Sequence, residues 1–124
     1  MRALIIDDAR ATRLILRQIL QKIGFEVIEA GDGREALNVL RQQGRPEVVL
    51  VDCHMPVMDG FAFIQAVRAD TVLSHLPVVM VTAQDAAQAA KALEDGADAF
   101  VVKPFNLDSI RETVDRMGIS ARRA

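Results

Sequence analysis

Four apolar segments of the chain end in residues whose side chains can do chemistry. In chain order these terminal residues are Asp7 with Asp8, Asp52, Thr82 and Lys103. Short uninterrupted aliphatic runs of this kind are typical of strands buried on both faces of a parallel sheet. Because parallel strands end at one edge of the sheet, where ligands bind, we expect these side chains to meet there.

Three carboxylates brought together in this way would repel each other. Each close pair costs about 3 kcal/mol at an effective dielectric constant of about 20. A hard divalent cation removes that repulsion, and a site made of carboxylates and water suits Mg²⁺. Lys103 adds a positive charge and Thr82 a hydroxyl donor, which match the oxygens of a phosphoryl group. The sequence therefore predicts a magnesium-dependent phosphoryl site.

Asp52 is the best candidate for a nucleophile because its strand should lie in the middle of the sheet. A carboxylate can attack phosphorus and form an acyl phosphate. The sequence has no paired Cys-x-x-Cys motif and no glycine-rich phosphate loop, and no serine is matched with a histidine base. Hydrolytic triads and nucleotide-binding loops are therefore poor fits.

Length and composition indicate one globular domain of 124 residues, with 51% hydrophobic and 26% charged residues. The net charge of −2 argues against direct binding of nucleic acid. The single cysteine, Cys53, cannot form an internal disulfide, and the chain begins without a signal-peptide pattern. We therefore expect a cytoplasmic location. No apolar run is long enough to cross a bilayer, so we expect no membrane insertion.

Strand and helix patterns alternate five times along the chain. The predicted strands are Leu4–Ile6, Phe25–Ala30, Val48–Asp52, Val78–Val81 and Ala99–Val102. The predicted helices run from Arg10 to Ile23, Arg34 to Gln43, near Phe61 toward Thr71, Asp85 to Asp95, and Leu107 to Met117. This alternation is typical of a parallel sheet with helices on both faces.

The first predicted helix has two faces in this interpretation. Its apolar face is expected to consist of Leu14, Ile15, Ile19 and Ile23. The residues expected to face water are Arg10, Arg13, Arg17 and Lys22. This division follows from apolar residues spaced by about one helical turn.

The motifs around these residues resemble the receiver domains of response regulators in two-component signalling. Asp52 is followed by Met55-Pro56-x-Met58-Asp59-Gly60, the acidic pair ends the first strand, and Thr82-Ala83 and Lys103-Pro104 complete the pattern. The resemblance covers residues 1–124, of which about 119–124 are expected to be a frayed tail. It implies a flavodoxin-like, doubly wound (βα)₅ fold with strand order 2-1-3-4-5, an order that this family itself exemplifies.

The resemblance also implies a role for each residue. Asp52 would accept a phosphoryl group from a sensor histidine kinase or a histidine phosphotransfer protein. Mg²⁺ would be held by Asp8, Asp52 and the backbone carbonyl of His54, and positioned by Asp7. Thr82 and Lys103 would stabilise the product.

Further positions are assigned by the same resemblance. Thr82 and Phe100 would form a switch that alters the surface of the fourth helix, fifth strand and fifth helix, where a downstream effector protein binds. The side chains of His54 and Gln84 would tune the lifetime of the acyl phosphate. The Lys103-Pro104 peptide bond is often cis in this family and is expected to be cis here, since cis bonds are nearly confined to X-Pro.

Other interpretations remain open at this stage. Taken singly, Asp7 and Asp8 can be a helix N-cap and its solvated neighbour. Thr82 can be an ordinary β-branched strand residue and Lys103 a solubilising strand end. The domain could bind partners without being phosphorylated. It could also be a small aspartyl-phosphate phosphatase, but that enzyme needs an acid two residues after its nucleophile, where this chain has His54. We expect a signalling protein that catalyses only its own phosphorylation and dephosphorylation.

Overall fold

The chain forms a five-stranded parallel sheet with helices on both faces. The computed structural model describes residues 1–83 and 86–119. The strands are β1 (Arg2–Ile6), β2 (Glu26–Ala30), β3 (Val48–Asp52), β4 (Val78–Thr82) and β5 (Ala99–Val102). The helices are α1 (Arg10–Ile23), α2 (Gly33–Gln43), α3 (Gly60–Ala69), α4 (Ala86–Glu94) and α5 (Leu107–Arg116). The strand order is β2-β1-β3-β4-β5, which confirms the predicted fold class and topology.

Burial along the strands explains the sheet order. Every residue of β3 and of β4 is buried, whereas β2 at one edge and β5 at the other have partly exposed residues. Strands buried on both faces belong in the middle of such a sheet. Asp52 is therefore carried by a central strand, as predicted, with β1 on one side and β4 on the other.

Alternate residues of each strand supply two separate cores. On one face, Leu4 and Ile6 of β1 pack in a cluster with Phe63 and Ile64 of α3. On the other face, Ala3 and Ile5 join a cluster formed with helices α1 and α5. Both faces of the sheet are thus covered, which fixes the positions of the strand ends.

The predicted apolar face of α1 is wrong in part. Leu14 and Ile15 are 55% and 50% exposed. The residues of this helix that are buried are Leu16, Ile19, Leu20 and Ile23. These four follow the i, i+3, i+4, i+7 spacing of one helical stripe, and a stripe through Leu14 and Ile15 would leave Leu16 and Leu20 in water.

Helix ends agree with the predictions to within a few residues. Asp59 caps α3 by accepting a hydrogen bond from the Ala62 N–H at 2.8 Å. α3 ends at Ala69 rather than near Thr71. The predicted start of the fourth helix at Asp85, and most of the predicted frayed tail, lie outside the described residues. Within the described residues, no helix is both long enough and apolar enough to cross a membrane.

Two leucines of α1 test the corrected orientation of this helix. Leu20→Ala should lower the free energy of unfolding by about 3 kcal/mol, because it leaves a cavity in a close-packed core. Leu14→Ala should change it by no more than about 0.5 kcal/mol, because the side chain is mostly in water. Urea denaturation followed by far-UV circular dichroism measures both. Equal losses in the two variants would contradict the orientation described above.

Candidate functional site

The predicted side chains meet at the carboxyl edge of the sheet. Lys103 Nζ donates a hydrogen bond to Asp52 Oδ1 at 3.1 Å, across 51 residues of sequence. Carboxylate oxygens of Asp7, Asp8 and Asp52 all lie within 4.8 Å of one another. Three acids and one lysine therefore share one small region, and their formal charges sum to −2. The prediction that these strand ends converge is confirmed.

Asp7 is held at several points, which leaves one carboxylate oxygen without a partner. Its backbone N–H donates to the Ala30 carbonyl at 3.1 Å, and its Oδ1 accepts from the Ala9 N–H at 2.8 Å. Its Oδ2 is buried, and no group of the described residues forms a hydrogen bond with it. A buried polar atom without a partner costs free energy, so this oxygen is available to a ligand.

The surroundings of Asp7 shift the pKa of its carboxyl group. Burial raises the pKa of its carboxyl above the ordinary value, and the charges of Asp52 and Asp8 act in the same direction. The hydrogen bond from Ala9 and the charge of Lys103 lower the pKa, but not enough to cancel the effect of burial. In the absence of a cation, the folded protein therefore disfavours the ionised form of Asp7.

Thr82 lies beside this group, at the end of β4. Asp52 pairs with Val81 in the sheet register, so Thr82 is one residue further toward the edge. Its side chain is fully buried, and its Oγ1 has no hydrogen-bond partner among the described residues. Its carbonyl accepts from the Lys103 N–H at 2.8 Å, which joins the ends of β4 and β5. The Lys103-Pro104 bond is cis, as predicted.

The two residues after Asp52 have different surroundings. Burial raises the pKa of the Cys53 thiol to about 11, so this cysteine is a packing residue. The exposed His54 places Nε2 within 2.7 Å of Gln88 Nε2 on α4, and its ring meets the ring of Phe61 edge-on at 6.3 Å. The imidazole therefore contacts residues of α3 and α4.

A strained turn follows in the same loop. Val57 has a φ of 67°, and the Met58 N–H donates to the Pro56 carbonyl at 2.7 Å across it. A hydrogen bond spanning a single residue with positive φ defines a γ-turn of the rare, strained kind. A β-branched side chain adds to the strain, and Val57 is also 73% exposed.

Close backbone contacts hold this loop in place. The Met58 carbonyl accepts from the Gly33 N–H at 3.1 Å, at the start of α2. A Cβ atom on Gly60 would lie only 2.3 Å from the carbonyl oxygen of Asp52, so no other residue fits there without displacing the backbone. The surrounding structure can therefore keep Val57 in its strained conformation.

The predicted switch residue lies on the outer strand. Phe100 on β5 is 38% exposed and borders a groove of about 790 Å³ that is lined by β5, α5 and the last turn of α4. Leu93 and Thr113 are among the other residues that line this groove. Gln84, the other predicted lifetime residue, lies outside the described residues.

One pair of contacts near the acids was not foreseen from the sequence. Arg13 and Arg17 were predicted to face water, but both bind Glu29 on β2, at 3.0 Å and 2.7 Å. Arg13 also donates to the carbonyl of Asp7. The available signal was the spacing of the two arginines, one helical turn apart, opposite an acid on a strand predicted to be partly exposed.

Comparison with known proteins identifies the family. Residues 3–115 match the response regulator receiver domain. The chain belongs to this family. It is 39% identical over 119 residues to the chemotaxis protein CheY of Pseudomonas aeruginosa, covering 94% of this chain and 95% of that protein. A probable transcriptional regulator, ycf27 of Guillardia theta, is 44% identical over 106 residues, but this receiver domain spans only 40% of its length.

Solved structures agree with this receiver assignment. The chemotaxis protein CheY4 of Vibrio cholerae superposes with a TM-score of 0.84 at 34% identity, covering 93% of this chain and 96% of that one. A putative response regulator from Chloroflexus aurantiacus superposes with a TM-score of 0.88 at 30% identity, covering 94% and 96%. The receiver architecture is thus shared over nearly the whole chain.

The raised pKa of Asp7 predicts the effect of removing its charge. Because the folded state holds this proton more tightly than the unfolded state, ionisation lowers the free energy of unfolding as pH rises above the ordinary value of 3.8. Without divalent cations, Asp7→Asn should therefore be more stable than wild type at pH 7. The asparagine Oδ1 can still accept from Ala9, and the gain should disappear below pH 3.8. Thermal unfolding in EDTA at several pH values measures this, and a less stable variant at pH 7 would contradict it.

Two exposed valines measure the strain in the loop. Val57→Gly should raise the free energy of unfolding, relative to Val72→Gly, by about 1 kcal/mol or more, because glycine adopts a positive φ without strain. Val72 is the matched control, since it is 69% exposed and does not have a positive φ. Both variants gain the same freedom in the unfolded chain, so the difference isolates the strain. Equal stabilities in denaturant titrations would show that the turn is not strained.

Proposed function

We propose that this receiver domain is a phosphorylation-activated switch. Asp52 accepts a phosphoryl group from a phosphohistidine of a kinase or phosphotransfer protein in the cytoplasm, and the reaction depends on Mg²⁺. The observation that carries this proposal is the placement of Asp52 on the central strand, in contact with Lys103 and within 4.8 Å of two further acids. Membership of the response regulator family supports the same conclusion.

The residues present fit a magnesium ion. The cluster of Asp7, Asp8 and Asp52 offers only oxygen ligands, and the buried Oδ2 of Asp7 has no partner among the described residues. Hard oxygen ligands of this kind suit Mg²⁺. Asp8, Asp52 and the backbone carbonyl of His54 would hold the ion, and Asp7 would position it. When bound, Mg²⁺ offsets the negative charge that otherwise opposes the approach of a phosphoryl dianion.

Each side chain of the site then has a separate role in phosphoryl transfer. An oxygen of the Asp52 carboxylate attacks phosphorus, an O–P bond forms, and the N–P bond of the phosphohistidine breaks with its electron pair remaining on the imidazole. Lys103 Nζ already lies at Asp52 and binds a phosphoryl oxygen after transfer. The unpartnered Oγ1 of Thr82 donates to another oxygen of the same group.

Signal output uses β5, which lies on the side of β4 away from Asp52. When the hydroxyl of Thr82 moves toward the phosphoryl group, the ring of Phe100 is free to turn inward, which changes the groove between α4 and α5. A local charge change then biases an element with two packing arrangements. We place the effector protein on this surface, and the phosphodonor on α1, where Leu14 and Ile15 are exposed.

A phosphatase acting on external phosphomonoesters is not favoured. Such an enzyme needs an aspartic or glutamic acid as proton donor two residues after the nucleophile, and this chain has His54 at that position. The ring of His54 contacts Gln88 and Phe61. The proposed activity is therefore limited to the domain's own phosphorylation and dephosphorylation.

Replacement of the acceptor tests this function directly. Asp52→Asn should retain the far-UV circular dichroism spectrum of the wild type, because the amide has nearly the same size and shape. It should lose all labelling by acetyl phosphate with Mg²⁺, because an amide is a poor nucleophile toward phosphorus. Intact-protein mass spectrometry measures the added phosphoryl group. Asp59→Asn is the matched control, since it changes an acid in the same loop and asparagine also caps a helix.

Two outcomes would contradict the proposal. Labelling that persists in Asp52→Asn would place the acceptor elsewhere. Unlabelled wild-type protein at high acetyl phosphate and Mg²⁺ would favour a domain that signals by protein contact alone.

A further inference from the structure

Arg13 links the outer strand of the sheet to the acidic pair. Its Nε donates to Glu29 Oε1 at 3.0 Å, and its Nη1 donates to the backbone carbonyl of Asp7 at 2.5 Å. The guanidinium is largely buried, with 18% of its side chain exposed. One rigid, planar group therefore binds a carboxylate of β2 and the backbone carbonyl of Asp7, a member of the acidic cluster.

Arg17 offers a natural comparison on the same helix. Its Nη1 donates to Glu29 Oε2 at 2.7 Å, so the two arginines share one carboxylate. Of these two arginines, only Arg13 has a described hydrogen bond to Asp7. Replacing either arginine removes one positive charge and one ion pair with Glu29, but only one replacement frees the Asp7 carbonyl.

The contact from Arg13 completes the restraint of Asp7. The backbone N–H of Asp7 is held by Ala30 and its Oδ1 by the Ala9 N–H, so the Arg13 bond fixes the peptide on the carbonyl side. That peptide also carries the amide of Asp8, the next ligand in the chain. Groups that orient metal ligands from behind commonly change metal affinity about 10-fold or more when removed.

We propose that Arg13, aligned by Glu29, is a positioning residue of the magnesium site. It holds the Asp7-Asp8 peptide so that Oδ2 of Asp7 and the carboxylate of Asp8 face Asp52. The inference rests on the proposed function, because it assumes that these acids bind Mg²⁺. It adds a residue outside the acidic cluster whose effect on the ion is transmitted through a backbone carbonyl.

A purely electrostatic role predicts the opposite result. A positive charge near a cation site repels the ion, so its removal alone would strengthen binding. A purely structural role in anchoring α1 would be shared with Arg17, which binds the same acid. The sign of the change and its restriction to Arg13 therefore separate the three explanations.

The test is a Mg²⁺ titration of Arg13→Gln, Arg17→Gln and wild type. The chain has no tryptophan or tyrosine, so binding is followed by the amide signals of the ¹⁵N-labelled protein in NMR. Wild type should show saturable shifts at Asp8 and Asp52. Arg13→Gln should weaken Mg²⁺ binding by about 10-fold, whereas Arg17→Gln should stay within about twofold of the wild type. Both variants should keep a cooperative thermal unfolding transition.

Arg13→Lys keeps the charge and one donor for the Asp7 carbonyl. We expect it to recover most of the affinity, and it also serves if Arg13→Gln does not fold. A lysine variant that binds Mg²⁺ no better than a tenth as well as wild type would contradict the proposal.

The remaining outcomes each decide the question. Equal affinities of Arg13→Gln and wild type would overturn the inference and leave the proposed function standing, and so would equal weakening in both glutamine variants. Tighter binding by Arg13→Gln would assign it an electrostatic role instead. No saturable shift in the wild type would remove the proposed function together with this inference.

Discussion

Repulsion between carboxylates at one edge of the sheet is the constraint on which this structure depends. Asp7, Asp8 and Asp52 come within 4.8 Å of one another and are met by the single ammonium group of Lys103. A flexible surface would relieve such crowding by turning the side chains outward. Here Asp7 and Asp52 are buried at the ends of neighbouring strands, so the backbone holds these two acids together, with the exposed Asp8 beside them. The unfavourable charge is therefore built into the fold and is available to be neutralised by a ligand.

The rest of the molecule supplies the rigidity that keeps this arrangement. Two cores on opposite faces of the sheet hold the central strands, and the aliphatic runs of β3 and β4 have no exposed face along which they could slip. The loop after Asp52 is held by close backbone contacts at Gly33 and Gly60, tightly enough to keep Val57 at a positive φ. The strain at Val57 and the unpartnered oxygens of Asp7 and Thr82 thus lie at one edge, as is typical where function competes with stability.

Much of this could be predicted from the sequence because the signals were local. Each aliphatic run ended in its polar residue within the sequence itself, and the topology of parallel strands brings such ends together without knowledge of side-chain packing. The motif around Asp52 indicated the family, and the comparisons confirm it. The roles assigned to Asp52, Thr82, Lys103 and Phe100 stay predictions until phosphorylation is measured.

What the sequence did not reveal depends on tertiary packing. Helix α1 has more apolar residues than it can bury, so its orientation follows from the fit against the sheet and α5 rather than from periodicity alone. The bond from Arg13 to the Asp7 carbonyl needed that orientation. The positive φ of Val57 is set by contacts on both sides of the loop. The most direct test of the account is anomalous diffraction from crystals soaked with Mn²⁺ as a substitute for Mg²⁺. We predict one strong peak among the carboxylates of Asp7, Asp8 and Asp52; a peak elsewhere, or none with these carboxylates ionised, would contradict the claim that their crowding exists to bind a cation.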